Sequence, residues 1–194
     1  MAEKTTAVTP ERFAQGMTYA EYLAQIKVNK GLFNKYYDEF TLSGEEAAFF
    51  RESTQKPGGP TKLLVLGEDW CPDVYRGIPT AARVAEAAGL EMRIFPRDEN
   101  LDIMDEFLKE GKWRSIPTLV FYTDELDYIC HWIERPEVGH QEGAAIETAI
   151  RAEKPDIDDR EFGVERRNRT AARFPDWQKA TIDELKQLLS QALG

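Results

Sequence analysis

Cysteine is scarce in this chain: only Cys71 and Cys130 occur among 194 residues. Two thiols so far apart are too few for a disulfide framework and suit a reducing compartment. Histidine is as sparse, with His131 and His140, and the cysteines, histidines and carboxylates are too scattered for a metal site of zinc type. No apolar run approaches the roughly 20 residues that span a bilayer; Leu63-Leu64-Val65-Leu66 has the length of a buried strand. Met1-Ala2-Glu3-Lys4-Thr5-Thr6 is not followed by an apolar stretch, so no secretory signal is expected and a cytoplasmic location is. Gly-rich phosphate loops, His-Glu-x-x-His and Gly-x-Ser-x-Gly are missing, which removes the common nucleotide, metalloprotease and serine-hydrolase signatures. Neither cysteine sits in a Pro-x-x-x-Thr-x-x-Cys pattern, which disfavours a peroxidase.

The formal net charge is −10, and residues 151–194 hold equal numbers of basic and acidic side chains, so the acidic surplus lies in residues 1–150. Such a body repels phosphate backbones and anionic headgroups, so neither nucleic acid nor a membrane is an expected partner. Arg166, Arg167, Arg169 and Arg173 form the one basic concentration; it reads as a solvated helix face or as a docking patch for an acidic partner.

Three parts are expected: a helical extension over residues 1–60, a core over 61–152, and a C-terminal helical extension over 153–194 packed on the core. Residues 1–10 read as a frayed polar tail. Thr18-Tyr19-Ala20-Glu21 and Ser43-Gly44-Glu45-Glu46 are capping-box patterns, and with the stripe Phe33, Tyr36, Tyr37 and Phe40 they predict three short helices between 18 and 53. Gln55-Lys56-Pro57-Gly58-Gly59-Pro60 breaks helix. Beyond it the pattern predicts a buried strand 62–67, a helix 79–88 with Pro79 in its first turn, a strand 91–95 and a helix 100–110. Strands 118–122 and 128–133 and a helix 138–152 follow. A strand-helix-strand crossover makes a parallel pair, and the last two strands make an antiparallel hairpin. The fold class is therefore α/β, a mixed four-stranded sheet with helices on both faces. In the tail, Thr181-Ile182-Asp183-Glu184 predicts the start of a final helix.

The chemistry gathers where the first strand meets the following turn. Glu68-Asp69-Trp70-Cys71-Pro72-Asp73, Arg97-Asp98-Glu99-Asn100, Ser115-Ile116-Pro117-Thr118 and Arg135-Pro136 together resemble a bacterial thioredoxin-like subfamily. Its members carry Trp-Cys-x-Asp in place of Trp-Cys-x-x-Cys, and the resemblance covers about residues 60–150. It implies a thioredoxin-like fold with Cys71 as nucleophile. Trp70, Pro72, Asp73, Ile116 and Pro117 would form the substrate-facing surface, with Pro117 as a cis-proline opposite the thiol. Pro72 and Val74 depart from the Gly and Ser of that pattern. Val65 stands where thioredoxins proper have a buried Asp, and Val74 where they have the resolving cysteine, so a dithiol cycle is disfavoured.

A thiol at a helix N-terminus lies near unsatisfied N–H groups and the positive end of the helix dipole, which favours thiolate and brings its pKa from about 8.5 into a range of roughly 3.5–7.5. Glu68, Asp69 and Asp73 act the other way, with Arg76 and Arg97 positioned to offset them. Asp73 reads as a helix N-terminal acid or as a catalytic group. Cys130 reads as a core residue or as a remote resolving partner for Cys71. His131 reads as a strand residue or a base for Cys71, and His140 as a surface residue.

Three functions stay open. The first is monothiol thiol–disulfide exchange through Cys71, with glutathione or another external thiol resolving the mixed disulfide and no resident cofactor; its partners are protein or low-molecular-weight thiols and disulfides. The second is a catalytically silent binding module on the same fold. The third is an iron–sulfur carrier in which Cys71 and glutathione share a cluster between two subunits. Oligomeric state is left open.

Overall fold

Leu63, Leu64, Val65 and Leu66 are all fully buried, as a strand covered on both faces requires. They belong to β1 (Lys62–Gly67), seen in a computed structural model that describes residues 7–194. Each such side chain contributes about 1.5–3 kcal/mol by leaving water. β1 pairs in parallel with β2 (Glu91–Pro96) and antiparallel with β3 (Thr118–Tyr122), and β3 pairs antiparallel with β4 (Tyr128–Ile133). The sheet order is β2-β1-β3-β4, the mixed four-stranded sheet expected from the sequence.

The described residues divide into two compact units, one of residues up to Glu134 together with Leu185–Gly194, the other Arg135–Glu184. The first holds the sheet and six helices before β3: α1 (Pro10–Ala14), α2 (Tyr19–Gln25), α3 (Lys30–Glu39), α4 (Gly44–Gln55), α5 (Pro72–Ala88) and α6 (Leu101–Met104). Capping boxes close α2 and α4, each through a hydroxyl and a Glu three residues on, Thr18 with Glu21 and Ser43 with Glu46. Tyr22, Phe33, Tyr75 and Tyr36 form a chain of ring contacts that ties α2 and α3 to α5. Leu185 and Leu189 are buried, and within the same unit Lys186 lies over the Phe49 ring of α4.

The second unit is helical: α7 (Glu137–Glu153), α8 (Asp159–Ala171) and the beginning of α9 (Phe174–Leu193). Here the basic cluster is partnered. Arg166 pairs with Glu147, Arg169 with Glu153 and Glu165, and Arg173 with Glu142, so three of the four arginines join α7 to α8 and to the turn before α9.

Several boundaries differ from the sequence expectation. Residues 1–6 of the expected polar tail lie outside the described residues; of its remainder, Ala7 donates to Glu106, Val8 is buried, and Thr9 caps α1. The helix expected from Pro79 begins at Pro72, and Pro79 lies inside it. Burial of nearly the whole first half of α5 outweighs the rung that Pro79, lacking an N–H, cannot supply. The helix expected over 100–110 closes after Met104, and Glu110 and Gly111 adopt positive φ as the chain turns. Thr181 does not start a helix. It lies inside α9, its hydroxyl donating to the Trp177 carbonyl, while Glu184 accepts the N–H of Glu137 at the start of α7.

Candidate thiol site

Cys71 is the N-cap of α5, with extended backbone (φ −83°, ψ 127°), and Pro72 fills the first helical position, where its missing N–H costs nothing. The turn is closed by Cys71 N–H donating to the Glu68 carbonyl, and by Val74 and Tyr75 N–H donating to the Cys71 carbonyl at 3.1 Å each. Val74 is fully buried. It packs so closely on Gly67 that a Cβ there would meet its Cγ1 at 2.8 Å.

The thiol faces the entry to β3. Cys71 Sγ lies 3.8 Å from the Ile116 carbonyl oxygen, and the Ile116–Pro117 peptide is cis. Gly77, one and a half turns along α5, lets the helix approach: a Cβ there would meet Pro117 Cγ at 2.6 Å. Thr118 is buried, its hydroxyl donating to the Ser115 carbonyl. Cys71, Pro72, Ile116 and Pro117 are thus brought together. Trp70 stands beside them, 52% exposed, with the Arg97 guanidinium 5.4 Å from its ring centre. Arg97 also pairs with Asp98 and donates to the Arg114 carbonyl.

The three acids of the turn have different partners. Burial, the largest influence, raises the pKa of Glu68, which accepts the Asp98 N–H. Asp69 accepts the N–H groups of Lys27 and Val28, and Asn29 donates to its carbonyl, so the loop between α2 and α3 is fastened to the thiol turn. Asp73 is 6% exposed and pairs at 3.1 Å with Arg76, which is 1% exposed and also donates to the Glu134 carbonyl.

Cys130 is elsewhere. Its partner in the β3–β4 register is Phe121, five residues beyond Ile116, or about 15 Å along a strand. That is more than twice the ~7 Å limit between Cα atoms for a disulfide, and neither cysteine is in a disulfide. Burial pushes the Cys130 thiol up to about 12, as for an inert core cysteine. His131 faces Val120 in the register and bonds the Tyr128 hydroxyl through Nδ1 at 2.6 Å, which removes it as a base for Cys71; burial lowers its pKa. His140 lies in α7. Among the described residues no group of three or more His, Cys, Asp or Glu is arranged to hold a metal ion, and no helix is long and apolar enough to cross a membrane.

Sequence reasoning missed two contributors: Gly77 and the Asp69 tether. A glycine in the middle of an apolar helix was the available signal for the first. The tether joins residues 42 positions apart, which no local pattern reveals.

A family model described as thioredoxin matches residues 16–148 of this chain. No curated protein matches. Among solved structures, the 1.5 Å crystal structure of a protein of unknown function from Pseudomonas aeruginosa is similar with a TM-score of 0.66 at 15% identity, covering 95% of this chain and 99% of that one. An HIV epitope scaffold is similar with a TM-score of 0.64, also at 15% identity and with the same coverage. At that identity the two likenesses show the fold.

Proposed function

We propose, from the premise that the chain belongs to the thioredoxin family, that it carries out thiol–disulfide exchange through Cys71 alone. The observation that carries this reading is a partly exposed sulfur at the start of a 17-residue helix, 3.8 Å from the Ile116 carbonyl beside Pro117. The helix dipole supports the thiolate that attacks. The thiolate forms a bond to one sulfur of a substrate disulfide and expels the other sulfur as thiolate. A second thiolate, from glutathione or another external thiol, then attacks the mixed disulfide and returns Cys71 as thiolate. The external thiol is needed because Val74 fills the place of a resolving cysteine and Cys130 is out of reach. Trp70 offers an exposed aromatic face, with Pro72, Ile116 and Pro117 beside it, against which the substrate rests. Such an exchange suits a reducing, cytoplasmic setting.

The test is glutathione-dependent reduction of a small disulfide by the wild type, Cys71→Ser and Cys130→Ser. The expected result is activity lost in Cys71→Ser and kept in Cys130→Ser. Equal activity in wild type and Cys71→Ser would contradict the proposal and leave a fold retained for binding.

A further inference from the structure

The chain has four tryptophans. Trp132 and Trp177 are buried, whereas Trp70 and Trp113 are 52% and 62% exposed. A large apolar side chain in water is ordinary when it stands alone. These two do not, because one arginine joins the segments that carry them. The Arg97 guanidinium lies over the Trp70 ring at 5.4 Å, and its Nη1 donates at 3.1 Å to the carbonyl of Arg114, the residue after Trp113.

The turn that bears Trp113 is also fastened from its other side. Lys109 and Trp113 exchange backbone hydrogen bonds of 2.8 and 3.0 Å, and the Lys109 ammonium pairs with the Glu134 carboxylate at 2.6 Å. The Glu134 N–H in turn donates to the Pro117 carbonyl at 2.7 Å. Glu134 has a φ of 72°, a backbone that glycine adopts without strain; glycine would lack the carboxylate that holds Lys109. Trp113 is thus tied to both halves of the thiol site, to the Trp70–Cys71 turn through Arg97 and to the cis-proline through Glu134. It stands three residues before Ile116, whose carbonyl oxygen is 3.8 Å from Cys71 Sγ. Three residues span at most about 11 Å between Cα atoms. A polypeptide whose own cysteine meets Cys71 covers that distance with its neighbouring residues.

We propose that Trp113 is a specificity-determining residue of the thiol site, which with Trp70 binds apolar side chains flanking the cysteine of a polypeptide disulfide. This rests on the thiol–disulfide reading above and names its substrate class. An aromatic ring carried on a turn fastened in this way loses little freedom when an apolar group covers it, so most of the contact is gained as binding.

The test compares two neutral disulfides, the dimers of Phe-Ala-Cys-Ala-Phe and of Ala-Ala-Cys-Ala-Ala, each blocked at both ends. Their glutathione-dependent reduction is followed with wild type, Trp113→Ala and Trp113→Phe. The quantity read is the ratio of kcat/KM for the two peptides, which a general loss of folded protein leaves unmoved. Wild type is expected to prefer the Phe peptide about ten-fold, through KM. Trp113→Ala is expected to lose most of that preference, and Trp113→Phe to keep most of it. A wild type without the preference, or a Trp113→Ala that retains it in full, overturns the proposal while leaving exchange through Cys71 in place. Failure of the parent reading is distinct: wild type then reduces neither peptide faster than Cys71→Ser does, and both readings fall.

Discussion

Neither Val74, which has no sulfur, nor Cys130, buried in the β3–β4 hairpin, offers a resolving thiol for the exchange proposed at Cys71. Val74 lies three residues beyond Cys71, which caps α5, the spacing at which Cys-x-x-Cys places two thiols at a helix start. Val74→Cys is therefore expected to form an internal disulfide with Cys71 under mild oxidation, seen as a loss of two hydrogens by mass spectrometry; two free thiols after oxidation would contradict the geometry. Cys130 predicts a pH effect on stability. Burial holds its thiol up at about 12 in the folded protein, against an unperturbed value of about 8.5. A raised pKa stabilises the fold fully below the unfolded value, and the contribution is lost as pH climbs toward the folded one. Wild type should therefore lose melting temperature between about pH 9 and 12 more steeply than Cys130→Ala; parallel profiles would contradict the assignment.

The helices and strands differ in how much of them local sequence specifies. Strand β1 and the β3–β4 hairpin were legible because continuous or alternating apolar runs leave one way to bury them. α2 and α4 were legible because capping boxes mark their first residue. The boundaries that were misread, at Pro79, after Met104 and at Thr181, are places where packing overrode a local signal. A proline inside α5 is tolerated by a helix buried through most of its length, and Thr181 looks like a cap only if Phe174 and Trp177, in ring contact with each other, are left out of the helix. The site divides in the same way. Cys71 and Ile116-Pro117 were legible as motifs, whereas Gly77 and Asp69 act through residues distant in sequence. Gly77 gives the sharpest element-level test. Gly77→Ala places a Cβ 2.6 Å from Pro117 Cγ, and overpacking of this kind costs about 1–3 kcal/mol. A lowered melting temperature is expected; an unchanged one would mean that α5 and the β3 entry are not in the contact described.

At the scale of the molecule, the charge of −10 bears on which disulfides Cys71 meets. An anionic disulfide such as glutathione disulfide is repelled by an acidic body, and salt screens that repulsion. Formation of its mixed disulfide should quicken as salt is raised, while a neutral disulfide should react at a rate insensitive to salt; identical salt responses would contradict a role for the net charge. The sheet brings the end of β1, the start of α5 and the entry to β3 to one place, and the only thiol at that place is Cys71. The account stands on that sulfur being reactive by position, and the most direct measurement is alkylation of Cys71 and Cys130 against pH, read at each site by mass spectrometry. The account predicts fast alkylation of Cys71 with a midpoint well below the unperturbed value of about 8.5, and a Cys130 that stays unreacted until the protein unfolds. A Cys71 that is inert, or that titrates at or above that value, would contradict it.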